Sequence, residues 1–146
     1  MSVSVIPDLN IFLFSVGGVN FGCDTDQAET MTDYHGEESN DLFWFHNELG
    51  FGKEQISYLS PVIVKIRTGD ARSYRIIIDA VEEISVFSLN DIYAFPTLCE
   101  PFTLKKGMWG ILKHKERMFF MVDFHLLLKN TPIKIEQKKK AKRRSK

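Results

Sequence analysis

The residues of this chain best suited to bind a metal ion or act as a nucleophile are four histidines and two cysteines: His35, His46, His114, His125, Cys23 and Cys99. No two histidines have the HxH or HxxxH spacing that places two ligands on one face, and the cysteines form no CxxC pair. A solvated imidazole is expected for His35 in a loop and for His114 in a turn. Both cysteines are predicted to be reduced and partly buried. The spacing therefore predicts no metal site and no redox pair.

Carboxylates form two other groups that could do chemistry. Asp24, Asp26 and Glu29 offer oxygen ligands for a cation, but the EF-hand spacing fails at its central Gly and at its distant Glu, so helix capping is favoured. Glu82 and Glu83 are adjacent, and adjacent side chains of a strand point to opposite faces. We therefore predict a charged, solvated strand edge at this position and no catalytic pair.

Nucleotide binding and covalent catalysis also lack support. The segment GFGK at residues 50–53 looks like part of a phosphate loop, but it lacks the Walker spacing and the Ser or Thr that follows the Lys. A nucleophilic Cys would need a His and an orienting group beside it. We predict a protein that is not an enzyme and that uses no cofactor and no small-molecule substrate.

Charge is segregated along the 146 residues although the net charge is zero. Residues 1–52 contain nine carboxylates and no Lys or Arg, whereas residues 136–146 contain seven basic side chains and one Glu. This predicts an acidic face and a basic tail. The tail is predicted to be disordered, and it either binds nucleic acid or an anionic membrane or serves as a solubilising extension.

Short apolar runs between turn residues predict the elements that position these side chains. β-Hairpins are predicted over residues 11–25, 62–79 and 108–123. Helical turns are predicted within residues 24–32, 46–49 and 124–129, a loop at 33–41, and irregular chain around Pro96 and Pro101. The result is one domain over residues 1–135, all-β with short helices, of the barrel or sandwich class.

Three consecutive aromatic residues, Phe43, Trp44 and Phe45, lie in a predicted strand. Side chains alternate between the two faces of a strand, so Trp44 faces away from its neighbours. Two of the three rings are expected in the core, and Trp44 is a possible exposed partner contact.

Three segments carry motifs in a fixed order: IFLFSVGGVNFGCD at residues 11–24, YRIIIDAVEEISVFSLNDIYAFP at residues 74–96, and MWGILKHKERMFFMVDFHLLL at residues 108–128. Together they resemble the CheW family of chemotaxis coupling proteins over roughly residues 10–129. In the middle segment the matching positions are Asp79, Val81, Ile84, Asp91, Ile92 and Pro96. The family's Asn-Leu-Arg-Gly motif is missing here, and the first Arg of the chain is Arg67.

This resemblance implies a CheW-like fold of two SH3-like β-barrel subdomains and a non-catalytic adaptor function in chemotaxis-type signal transduction. The implied partners are the regulatory domain of a CheA-like histidine kinase and the cytoplasmic tip of a chemoreceptor. The implied binding groove for a receptor helix is formed by Ala28, Met31, Val81 and Ile84. A cytoplasmic location is expected, because the sequence shows neither a secretory signal nor an apolar run of membrane-spanning length. The alternative is a small-barrel nucleic-acid-binding protein that uses the basic tail.

Overall fold

A computed structural model describes residues 8–50, 56–68 and 74–129 of the chain. The strands are β1 (Asp8–Val16), β2 (Val19–Asp24), β3 (Ala28–Asp33), β4 (Leu42–Trp44), β5 (Val62–Ile66), β6 (Tyr74–Ile78), β7 (Val81–Ser88), β8 (Ile92–Tyr93), β9 (Met108–His114) and β10 (Arg117–Val122). The α-helices are α1 (Phe45–Leu49), α2 (Glu100–Lys105) and α3 (Phe124–Lys129). None of the helices in the described ranges has the length and apolar character of a membrane-spanning segment. The predicted basic tail at residues 136–146 lies outside these ranges, so its disorder stays a prediction.

The strands form two sheets. One has six strands in the order β7-β1-β2-β10-β9-β8, and the other has four in the order β3-β5-β6-β4. The three predicted hairpin pairings, β1 with β2, β5 with β6 and β9 with β10, are confirmed as antiparallel. Two further pairs, β2 with β10 and β4 with β6, are parallel. Parallel neighbours cannot be joined by a tight turn, so these pairs close each sheet with strands from distant parts of the chain.

Tight turns end two of the hairpins. Gly17 and Gly18 have φ angles of 60° and 81°, a left-handed conformation that glycine adopts without a steric penalty, which confirms the predicted turn. The tip between β9 and β10 is Lys115-Glu116, with φ angles of 50° and 62°. Two non-glycine residues in this region store strain, which the surrounding strand pairing must offset.

The strand β1 is buried on both faces because its apolar residues are consecutive. Phe12 and Phe14 face a core that both sheets share, and Ile11 and Leu13 face a second cluster within the six-stranded sheet. All four side chains are at most 1% exposed. A strand covered on both sides reads as a continuous apolar run instead of an alternating one.

Two predicted local structures differ in part from the observed ones: of the one or two helical turns predicted within residues 24–32, one forms. Only a single 3₁₀ turn, Thr25–Gln27, forms within residues 24–32, capped by the Asp24 carboxylate, which accepts a hydrogen bond from the Asp26 N–H at 2.9 Å. The rest of that segment is β3, because pairing with β5 satisfies its backbone in place of a helix. The prediction of irregular chain around Pro101 was also wrong. Pro101 lies in the first turn of α2, where its missing N–H costs nothing.

Asp79 organises the bend between β6 and β7. Its carboxylate accepts hydrogen bonds from the backbone N–H groups of Leu59, Ser60 and Ala80 at 3.0, 2.7 and 3.0 Å. We expect Asp79→Ala to lower the free energy of unfolding by about 2–3 kcal/mol, because three N–H groups lose a charged acceptor. Chemical denaturation measures this. The same charge change in Asp91→Ala, at an exposed turn, serves as the control, and equal losses for the two variants would contradict this role.

Candidate partner-binding cleft

A cleft of about 640 Å³ opens beside β3, β5 and the start of β7. Its described lining consists of Met31, Thr32, Asp33, His35, Glu37, Val62 and Val81. The floor is apolar, since Met31, Val62 and Val81 are half-buried and pack against the shared core. The floor belongs to β3, β5 and β7, and each of these strands is paired within its own sheet. The two sheets, and not a loop, therefore hold the geometry of the floor.

The structure brings together part of the predicted groove. Met31 and Val81 line the cleft, and Ala28 packs against the same core from the first position of β3 without being part of the described lining. Ile84 lies outside the cleft and is 60% exposed. The four predicted positions therefore do not form one closed pocket.

A β-bulge at the start of β7 extends the apolar floor along the sheet edge. Phe14 pairs with Val81 and Phe12 with Ile84, so Val81 and Ile84 share one face although they are three residues apart. Val86 follows on that face and, like Ile84, is 60% exposed. We call Val81, Ile84 and Val86 the β7 stripe. Val86 is the member that sequence reasoning missed, although the i, i+2 alternation from Ile84 could have found it.

The rim of the cleft is acidic. Asp33 and Glu37 are exposed lining residues, and no Lys or Arg occurs in the described lining. The backbone N–H of His35 donates a hydrogen bond to the Glu37 carboxylate. Backbone hydrogen bonds hold the pKa of Glu37 below its usual value, so this carboxylate is ionised at neutral pH.

The charged strand edge predicted at Glu82 and Glu83 is observed, since β7 is an edge strand and Glu82 is exposed, but the prediction that the two side chains point to opposite faces was wrong. The bulge in β7 breaks the simple alternation, and both carboxylates reach the tip of the β9–β10 hairpin. Glu82 lies 3.0 Å from an Arg117 guanidinium nitrogen, and Glu83 lies 3.1 Å from His114 Nε2 and 3.4 Å from Lys115 Nζ. This part of the edge is thus paired with opposite charge and is not simply solvated.

His114 also differs from its prediction as a solvated turn residue. It is the last residue of β9, half-buried, and its ring packs edge-on against Phe87 with 4.9 Å between centroids. Its contact with Glu83 is an ion pair when the imidazole is protonated. His114 therefore has a structural explanation that needs no catalytic function.

Trp44 is half-buried at the centre of an aromatic cluster. Its ring lies 5.2 Å from that of Tyr34 and 4.9 Å from that of Tyr58, while Phe43 and Phe45 are buried as predicted. Trp44 also lines a shallow pocket of about 250 Å³, so it stays a candidate contact for a partner protein.

Tyr58 and His46 form a hydrogen bond beside Trp44, with 2.9 Å between the hydroxyl oxygen and Nδ1. Burial raises the pKa of Tyr58 to about 12 and lowers the pKa of His46. Both groups are therefore neutral at pH 7, so this pair fixes ring positions and presents no charged base.

Neither cysteine is placed for catalysis. Cys23 is buried, its thiol donates to Gln27 Oε1 at 3.4 Å, and burial raises the pKa of this thiol well above its usual value, which makes it unreactive. Cys99 is exposed at the start of α2, so the prediction of a partly buried residue was wrong. Among the described residues, no group of three or more His, Cys, Asp or Glu could hold a metal ion.

Comparison with known proteins gives a structural match only. No protein-family model matches this sequence, and no curated protein matches it. The structure is similar to that of the scaffolding protein TtCheW from Thermoanaerobacter tengcongensis, with a TM-score of 0.61 and 17% sequence identity, covering 83% of this chain and 92% of that one. The predicted fold of two SH3-like β-barrel subdomains is confirmed: this chain has a CheW-like fold.

Proposed function

We propose that this chain is a non-catalytic adaptor in chemotaxis-type signal transduction, coupling a CheA-like histidine kinase to chemoreceptors. The observation that carries the proposal is the β7 stripe, an exposed apolar surface that runs from the cleft along a sheet edge of a CheW-like fold. A scaffold needs such a surface, whereas an enzyme needs convergent polar groups, and none of the described clusters supplies a nucleophile with a base.

The dimensions of the stripe suit a helix. Val81 and Val86 lie opposite Phe14 and Asn10, which are four residues apart on β1, so the stripe is about 13 Å long. About two and a half turns of an α-helix have the same length, so one helix can place apolar residues at i, i+4 and i+8 along the stripe. Ile84 and Val86 are each 60% exposed, and large β-branched side chains on a sheet edge promote association unless a partner covers them.

Nucleic-acid binding is supported less well. Its only strong feature is the basic tail, which lies outside the described residues. The cleft carries Asp33 and Glu37 on its rim, and these carboxylates repel phosphate groups. We therefore assign the partner surface to protein recognition.

The double variant Ile84→Asp with Val86→Asp tests the proposal. Both side chains are exposed, so the fold is retained, while burying two charges against a helix should raise the Kd for a chemoreceptor cytoplasmic hairpin at least about tenfold. Isothermal titration calorimetry measures the Kd, and circular dichroism verifies folding. Binding to the CheA regulatory domain is measured in parallel.

The matched control is Leu98→Asp with Phe102→Asp, because these side chains are 89% and 74% exposed on a different segment. This control should leave receptor binding within about twofold of the unchanged protein. Failure of the unchanged protein to bind either partner, or unaltered receptor binding by the β7 variant, would overturn the proposal.

A further inference from the structure

The acidic rim beside the apolar floor selects the chemistry of the partner. We infer that the cleft and the β7 stripe take a basic amphipathic helix, one whose apolar face is flanked by Lys or Arg. The inference rests on the proposed function, since it specifies the partner at the same site. The inference depends on two independent properties of the surface: the apolar floor is long enough to hold a helix, and the charged side chains of the rim are all negative.

Within the described ranges, the negative charge of the rim is little offset by its neighbours: backbone hydrogen bonds are the main cause of the lowered pKa of Glu37, and the charge of Arg75 contributes least. Among the described residues, no Lys or Arg forms an ion pair with Asp33 or Glu37. The cations on the adjoining strands have other partners: Lys65 lies 3.5 Å from Glu29, and Arg75 forms a bidentate pair with Asp41. The rim thus retains a net negative charge that a partner can complement.

Arg67, at the end of β5, is also engaged. Its guanidinium group donates to the backbone carbonyls of Asp26 and Ala28 at 3.2 and 3.5 Å. It therefore supports the start of β3 and is directed along that strand's backbone. His35 is the one titratable base in the described lining, and it is exposed. The test is made at pH 7.5.

The basic tail of this chain is a poorer occupant than a separate helix. Residues 137–146 read QKKKAKRRSK, with one Ala as the only apolar side chain. Such a segment can pair with the carboxylates of the rim, but it has no large apolar side chain to bury against Met31, Val62 and Val81. An amphipathic helix meets both the rim and the floor, and the burial of apolar area contributes most to affinity.

Two synthetic helical peptides of about 14 residues test the inference with the full-length protein. Both carry the same Leu stripe at i, i+3, i+4 and i+7, flanked by Lys in one and by Glu in the other. Fluorescence anisotropy at about 50 mM salt should show the Lys peptide binding at least about tenfold more tightly, with the difference shrinking at about 500 mM salt. Equal affinity for the two peptides would overturn the inference.

Charge reversal on the rim provides the decisive variant. Asp33→Lys with Glu37→Lys should invert the preference, so that the Glu peptide binds more tightly than the Lys peptide. The control, Glu100→Lys with Glu116→Lys, makes the same change in net charge at exposed positions away from the cleft and should keep the original preference. The same inversion in the control would mean that overall charge, not the rim, selects the peptide, and would overturn the inference.

A full-length variant with Gln at all seven basic positions of residues 138–146 tests the tail as an occupant. Unchanged affinity for the Lys peptide supports a separate partner, whereas an increase of tenfold or more would show that the tail fills the cleft and would overturn the inference. The peptide experiment tests the chemistry of the partner and the receptor experiment tests the chemotaxis assignment, so either one can fail without the other. Selective Lys-peptide binding without receptor binding would reject only the chemotaxis assignment, and receptor binding without charge selectivity would reject only the partner chemistry.

Discussion

Replacing Phe14 with Ala should lower the free energy of unfolding by about 3–5 kcal/mol, a large part of the stability of an ordinary domain. Phe14 is fully buried, and its ring contacts those of Phe12, Phe21 and Phe45 with centroids 5.8, 5.7 and 5.3 Å apart. Phe12 and Phe21 belong to the six-stranded sheet, whereas Phe45 begins α1 directly after β4 of the other sheet. The loss therefore opens a cavity where the two sheets share their core.

Urea denaturation followed by Trp fluorescence measures this effect, with Phe102→Ala as the matched control. Phe102 is 74% exposed, so the same chemical change there should cost less than about 0.5 kcal/mol. Phe14→Leu keeps most of the volume and should cost about 1–2 kcal/mol, which gives a measurable value if the Ala variant does not fold. A cost for Phe14→Ala that equals the cost for Phe102→Ala would contradict a shared core.

Gly107→Ala is expected to have the second largest effect, a loss of at least about 3 kcal/mol. Gly107 connects α2 to β9 with φ of 77°, and an added Cβ would lie 2.8 Å from the carbonyl oxygen of Asp123 and 2.9 Å from the backbone nitrogen of Leu127. These backbone atoms cannot move without disturbing α3. The Gly107 carbonyl also accepts a hydrogen bond from the Asp123 N–H at 2.7 Å, which fixes the approach.

The variant Gly18→Ala separates the two causes of this loss, which are the steric clash of the added Cβ and the cost of a positive φ for a residue other than glycine. Gly18 has a similar φ of 81°, but an added Cβ would meet nothing within 4 Å, so only the conformational penalty of about 1–2 kcal/mol applies. Thermal unfolding of both variants gives the difference, which measures the steric contribution at Gly107. If the two variants lose equal stability, the close approach of α3 to Gly107 does not constrain the fold.

Much of the local structure could be read from short stretches of sequence. The glycine pair at residues 17–18 and the glycine at residue 50 mark the ends of elements because each adopts a positive φ. The apolar run at residues 11–16 predicted a hairpin strand, and Asp24, one of the residues predicted to cap a helical turn, caps the 3₁₀ turn Thr25–Gln27. The fold class followed from the order of these signals together with the resemblance over residues 10–129. Each of these predictions depends on residues within a few positions of one another.

The candidate site could be predicted only in part. The resemblance led to Met31 and Val81, which line the cleft, but simple alternation failed at β7. The bulge shifts Ile84 onto the face of Val81 and sends Glu82 and Glu83 to one hairpin tip, and nothing in the sequence of β7 marks an extra residue there. The exposure of Cys99 and the partial burial of His114 were missed for a related reason, because each depends on the position of a distant segment.

The sequence by itself determined the hairpins, the acidic first third of the chain and the absence of any spacing suited to metal or nucleotide chemistry, since these are properties of neighbouring residues. Only the tertiary structure decided which strands pair in parallel and how the two sheets pack, so that β3 and the start of β7 line one cleft. It also placed Asp33 and Glu37 over the apolar floor of Met31 and Val81. Such juxtapositions depend on the packing of residues about 50 positions apart, which local propensity and periodicity do not encode.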